Sequence, residues 1–283
     1  MVLGKNQTPQ DFFIAKLYTK ISKMNEFEDK KKKFFIRLAK ETSDVLLMHE
    51  KYGLWDKDEN GQKWTNVSEH CLLEAARAEV FSDLLRFSDD IKMDLKKTAA
   101  LHDFFKRRER EITLQGGDEW ENVKKSEELA DAEILKMNLG KEIVELLGAV
   151  GSRSFVKADA IIKKDIKYLT DKEIAFLLMH YIDDYTIGDE WVKTAVFNEE
   201  GEQKNDLDRR VEKSKIRYSK VKDNPHALVN GEHIFDAELR IGHKIEEIIS
   251  ELIEVKSGIK IDPIGLPEFI DKILLEKIAS TGI

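Results

Sequence analysis

The stretch LKKTAALHDFFKRRERE, running from Leu95 to Glu111, decides the fold and opens the question of function. Thr98, Leu101, His102 and Phe105 fall at i, i+3, i+4 and i+7, the spacing that lines one face of a helix. The pattern predicts a helix from about Ile91 to Arg110, with a histidine turned toward the core and an aspartate beside it. A buried ionisable pair is costly unless it is protonated, paired or bound to a cation. The apolar half of the stretch therefore sets the fold class, and the polar doublet inside it marks a candidate site.

Working outward, the same period recurs on both sides. A charged helix is expected from about Phe27 to Lys51, followed by the turn-rich KYGLWDKDENGQKWTN, where Gly53 and Asn60-Gly61 break the pattern. Helices are expected from Ser68 to Phe87, from about Glu121 to Asn138, and over KEIVELLGAV. TDKEIAFLLMHYIDDYTIG opens with a capping box, Thr170 to Glu173, and is apolar nearly all round, as a central buried helix would be. Near the N-terminus, Thr8 and Pro9 are placed to start another helix. After Gly188 the chain turns polar and weakly periodic. It then returns with AELRIGHKIEEIISELIEV, an amphipathic helix whose stripe could pack on the core or form a dimer face, and a short helix follows Pro267. The chain has only 4 prolines and 15 glycines in 283 residues, so an all-α fold is expected.

Charge and composition narrow the partners. The formal net charge is −8 and no broad basic surface can be read along the chain, which argues against extended nucleic acid while leaving room for a small phosphorylated molecule. The single cysteine, Cys71, excludes an internal disulfide framework and reads as a small buried residue in a reducing compartment. No signal-peptide pattern or long apolar run is present, so a cytoplasmic protein that does not enter the membrane is expected. No internal repeat is visible.

Two further polar groups interrupt apolar helices. His70 flanks the stripe of NVSEHCLLEAARAEV, and Asp183 and Asp184 sit inside LLMHYIDDY. Imidazole and carboxylate together suit a divalent transition metal. The order of His70, then the His102-Asp103 doublet, then an aspartate in an apolar helix resembles the HD superfamily of metal-dependent phosphohydrolases. The stretches that carry the likeness are EHCLLEAARAEVFSDLL, AALHDFFK and LLMHYIDDY.

The resemblance implies an HD-domain-like helical core with additional N- and C-terminal helices. Residues 1–60 would be N-terminal helices packing on the core, 61–190 the metal-binding core, and 191–283 a charged excursion and helices packing back on it. It further implies that His70, His102, Asp103 and Asp183 hold one divalent ion, whether Mn, Fe, Ni, Co, Zn or Mg. Asp183 is preferred to Asp184 because Leu178, Met179, Tyr181, Ile182 and Tyr185 match the family's apolar flanks. Lys106 matches the HDxxK form of the doublet, which places it near the substrate phosphate. Arg107, Arg108 and Arg153 are further phosphate contacts to consider, and Asp184 or Glu127 could supply the leaving group's proton. Glu127 could instead bridge to a second ion, and His180 could be a spare ligand. The expected activity is hydrolysis of a small, nucleotide-like phosphate ester by metal-activated water. The alternatives are a di-iron oxidative enzyme on the same scaffold and a non-catalytic metal-binding or regulatory module. A homodimer is compatible with all of these.

Overall fold

Apolar residues at helical spacing form helices wherever the chain is described. The computed structural model describes residues 26–56, 64–187, 196–197, 203–204 and 206–282. The expected start at Thr8 and the Asn60-Gly61 turn lie outside these residues. In chain order the α-helices are α1 (Glu26–Glu41), α2 (Ser43–Lys51), α3 (Thr65–Leu84), α4 (Asp89–Leu101), α5 (Lys106–Thr113), α6 (Glu119–Ile134) and α7 (Lys141–Leu147). They continue as α8 (Ser154–Ile162), α9 (Asp171–Tyr185), α10 (Asp206–Arg217), α11 (Ser219–Lys222), α12 (Ile234–Ser257) and α13 (Leu266–Ser280). The described strands form two short antiparallel pairs, Val196–Phe197 with Gln203–Lys204 and Leu228–Val229 with Glu232–His233. The fold is all-α, as composition and periodicity predict.

Three helices make the centre. α3 is buried along most of its length and packs on α4, and α9 packs on both. The start of α9 follows its sequence: the Thr170 side chain accepts from the Glu173 N–H while Glu173 reaches back to the Thr170 N–H. α12 lays Ile241, Ile245, Ile248, Ile249 and Leu252 onto this centre, against α8, α9 and α10. Each such side chain contributes about 1.5–3 kcal/mol when fully buried. α13 closes the far side against α1 and α3. One connected set of buried apolar residues runs from Phe34 to Ile278. Among the described residues no helix is long and apolar enough to cross a membrane.

Two expected helices are each divided. The helix predicted from Phe27 to Lys51 breaks at Thr42, whose hydroxyl bonds back to the Leu38 carbonyl at 3.0 Å, a habit of threonine that bends helices. The helix predicted from Ile91 to Arg110 ends at Leu101, and the doublet occupies a tight turn before α5. The Phe104 N–H bonds to Leu101 O at 2.8 Å and the Lys106 N–H to Asp103 O at 3.0 Å. The expectation of one continuous helical face through Phe105 is thus corrected, and the reason bears on the site. His102 keeps helical angles (φ −49°, ψ −37°), the backbone tightens after it, and both His102 and Asp103 line the same cavity.

Candidate metal centre and adjoining cavity

His70 lies in the second turn of α3, and Glu74, one turn further, projects from the same face because residues four apart on a helix are neighbours. His102 follows the last turn of α4, and Asp183 lies near the C-terminal end of α9. One ligand atom from each of His70, Glu74, His102 and Asp183 lies within 4.8 Å of all the others. His70 Nε2 is 2.8 Å from Glu74 Oε1, His102 Nδ1 is 3.3 Å from Glu74 Oε2, and His102 Nε2 is 3.6 Å from Asp183 Oδ1. Donors around a single ion at about 2.1 Å lie about 3 Å apart when adjacent and about 4.2 Å when opposite. The set is therefore within reach of one ion.

Bonding around the cluster fits a cation. His102 Nδ1 is 2.8 Å from the Ala99 carbonyl. A proton on Nδ1, donated there, leaves the Nε2 lone pair turned toward Asp183, the orientation a ligating histidine takes. Among the described residues His102 Nε2 and both Glu74 oxygens have no well-aligned hydrogen bond, although all three are buried. Buried polar atoms without partners are costly, and a cation would satisfy these three together.

Electrostatics agree. Burial alone would push the His102 and His70 imidazoles toward the neutral form, but the Glu74 carboxylate outweighs it, and both sit above the usual histidine range, His102 well above. Burial would raise Asp183, yet bonding to His102 and that residue's charge hold it below the usual carboxylate range. The metal-free cluster is thus anionic enough to draw protons onto its histidines. Cys71, pushed up to about 11 by burial, stays a thiol and plays no part.

A cavity of about 230 Å³ opens beside the cluster, lined by His102, Asp103 and Asp183 at one end and by Trp120, Leu147 and Phe155 among its apolar residues. Comparison with family profiles, with curated proteins and with solved structures returned no match.

The remaining expected residues distribute around this space. Asp103 stands beside the four-residue cluster, its Oδ2 3.9 Å from His102 Nε2 and its Oδ1 3.5 Å from Lys106 Nζ. Burial would raise its pKa, but Lys106 and His102 bring it down to about 2. Lys106, at the start of α5, lines the cavity and pairs with Glu109 at 3.1 Å. Asp103 and Glu109 overcome its burial and hold it charged. Asp184 lines the cavity too, with Oδ2 3.3 Å from His180 Nε2.

His180 itself is anchored through Nδ1, 3.1 Å from Ala149 O and 3.0 Å from Ser154 Oγ. Burial pulls it down to about 4. Glu127 does not reach toward an ion: its two oxygens accept from the Ser152 N–H and hydroxyl, each at 2.7 Å. Arg153 lines the cavity but is paired with Asp131. Arg107 donates to Gly53 O at 2.8 Å and Arg108 pairs with Glu111, so both are engaged in the scaffold.

Sequence reasoning missed Glu74, Arg210, Tyr218 and Glu238. The first was legible, since a glutamate four residues after His70 shares its helical face. The other three lie on or next to helices of the region after Gly188 and line the cavity. Nothing in their local pattern distinguishes them from solvated charge.

Proposed function

We propose that the protein is a metal-dependent phosphohydrolase of the HD type, acting on a small phosphorylated substrate bound in the cavity between α5, α6, α8, α9, α10 and α12. The observation that carries this reading is the cluster of His70, Glu74, His102 and Asp183, of which His102 and Asp183 line a cavity that also holds cationic side chains. Among the described residues only this group of His, Cys, Asp and Glu meets the spacing for an ion, which favours one ion over two.

A divalent cation held there would supply a nucleophilic hydroxide at neutral pH and Lewis acidity toward a phosphoryl oxygen. The protein's own residues would do the rest. Asp103, held ionised by Lys106 and His102, stands where it can accept a hydrogen bond from the attacking water. Lys106 offers charge to the phosphoryl oxygens as negative charge builds on them. Asp184, facing His180 across 3.3 Å, is placed to hold a proton and pass it to the departing oxygen. Glu127, tied to Ser152, is the weaker candidate for that proton. In the net reaction the ester P–O bond breaks, a water oxygen joins phosphorus, and the alcohol leaves with a proton.

The test is elemental analysis of the purified protein beside a phosphatase screen with Mn²⁺, Ni²⁺, Co²⁺ and Mg²⁺. His102→Ala and Asp183→Asn should lose metal and hydrolysis together. Glu74→Gln should weaken metal affinity by about 10–100-fold, the range for groups that hold or orient ligands. Full hydrolysis by a His102→Ala variant that carries no metal would end the proposal.

A further inference from the structure

Arg210 stands on α10, in the region to which the sequence assigned no role, and its side chain lines the same cavity as Asp183. Among the described residues it makes one hydrogen bond, from Nη1 to Ser214 Oγ one turn on, at 2.9 Å. A guanidinium carries five N–H donors in a rigid fork, so most of that fork is left for the cavity. Burial opposes its charge, but Asp183, Glu238 and Asp184 lie near enough to hold it protonated. None of the three accepts a hydrogen bond from it among the described residues. A half-buried guanidinium attracted by carboxylates yet bonded to none of them suits an anion from solution that can offer its fork two oxygens. Lys106 and Tyr218 line the same space, and Tyr218 lies close enough to feel the charge of both Lys106 and Arg210.

The rest of the lining limits how much anion can enter. Six carboxyl groups, Asp103, Asp183, Asp184, Glu109, Glu127 and Glu238, face three cations, Lys106, Arg153 and Arg210. Arg153 is already paired with Asp131. One dianionic group beside an ion, Lys106 and Arg210 would be well matched. Further phosphates would add charge to a lining in which carboxyl groups already outnumber cations, where like charges repel. The volume of about 230 Å³ lies below the roughly 300–1,000 Å³ of ordinary small-molecule sites. The lining also has a large apolar share, with Trp120, Val123, Ile134, Leu147 and Phe155.

We infer that Arg210 is the anion-binding residue of this cavity and, together with Lys106, fits it to a single terminal phosphoryl group on a small, largely apolar or aromatic body: a phosphomonoester, not a polyphosphate. The inference rests on the hydrolase reading for its reaction, in which water cleaves the ester P–O bond to give the alcohol and inorganic phosphate. Arg210 binding the anion can be checked without turnover.

The experiment uses the full chain loaded with Mn²⁺, as wild type, Arg210→Gln and Arg210→Lys. Calorimetry measures binding of inorganic phosphate, elemental analysis the metal content, and steady-state kinetics the hydrolysis of p-nitrophenyl phosphate and of a nucleoside mono- and triphosphate. Arg210→Gln should keep its metal and lose phosphate affinity at least tenfold, with a matching rise in KM for the monoester. Arg210→Lys should recover part of the loss, because lysine keeps the charge without the fork. The triphosphate should be turned over at least tenfold less efficiently than the monophosphate.

Unchanged phosphate affinity in Arg210→Gln, or a preference for the triphosphate, overturns the inference while leaving the hydrolase reading in place. Phosphate binding that depends on Arg210, in a protein that cleaves no ester, upholds the anion site and removes the hydrolase reading instead. Should Arg210→Gln fail to fold, Ser214→Ala serves as the second variant. It frees Nη1 alone and should weaken phosphate binding several-fold, and no change there also overturns the inference.

Discussion

At the scale of single residues, the protonation of buried histidines sets how the protein responds to pH. His102 and His70 sit above the usual histidine range because, burial notwithstanding, Glu74 favours their charged forms. A raised folded pKa gives stability that is present in full below the unfolded value near 6.5 and is lost as pH climbs through the folded value. His49 and His180 behave in the opposite way. Burial pulls them to about 3 and about 4, so their contribution is present above about 6.5 and fades as pH falls toward those values. The metal-free protein should therefore be most stable around neutrality and melt earlier on both sides. Metal ligands must be deprotonated, so an added ion replaces the protons on His70 and His102 and should raise the alkaline limb while leaving the acid limb unchanged. Thermal melts between pH 4 and 9, with and without Mn²⁺, read this directly. Coincident alkaline limbs would show that these histidines do not hold the ion.

Single elements decide how the cavity wall is made. The segment between α7 and α8 turns at Gly151 with φ +81°, and a Cβ there would lie 2.6 Å from Glu127 Oε1. The bare backbone lets Glu127 reach over the turn and accept from both Ser152 donors. Gly151→Ala combines a left-handed backbone, worth about 1–2 kcal/mol against a residue with a side chain, with a collision against a carboxylate held in place. A loss of about 2 kcal/mol in urea denaturation is expected, together with weaker monoester hydrolysis as the cavity wall shifts. A stability unchanged within about 0.5 kcal/mol would mean that this turn is not as tightly held as its contacts imply. The helix break at the doublet is the other decisive local feature. The inward period holds through Thr98, Leu101 and the His102 side chain and then fails, since Phe104 is fully buried and Phe105 only half-buried. Periodicity cannot register a tightening of the backbone by i→i−3 bonds, because that depends on what packs around the turn.

Across the whole molecule, the last helix is locked to the core by charge. Arg77 of α3 is fully buried, with Nε and Nη2 donating to the Asp271 carboxylate of α13 at 2.8 and 2.7 Å, and Nη1 donating to Thr186 Oγ1 at 2.8 Å. Removing one partner of a buried ion pair strands the other charge, at a cost of about 3–5 kcal/mol. Asp271→Asn should lose stability by that amount in denaturant titrations. The double replacement Arg77→Met with Asp271→Leu should recover most of it, since a packed apolar pair of similar volume is often no less stable. A double variant as unstable as the single one would show that the pair is needed for more than balancing its own charges. Because Thr186 follows α9 by one residue, this lock also fixes the end of the helix that carries Asp183 and Asp184.

By itself the sequence determined the helical class, the capping box that starts α9, the amphipathic stripe of α12 and the inward direction of His102. All of these follow from local spacing and from the cost of burying charge. Tertiary structure alone decided that His102 and Asp183 meet His70 and Glu74, that Asp103 stands beside the cluster, that Glu127 serves Ser152, and that Arg210 and Glu238 reach the cavity from helices after Gly188. Those outcomes depend on which helix faces are brought together across long stretches of chain. A charged residue has the same local pattern whether its helix turns it to solvent or into a cleft.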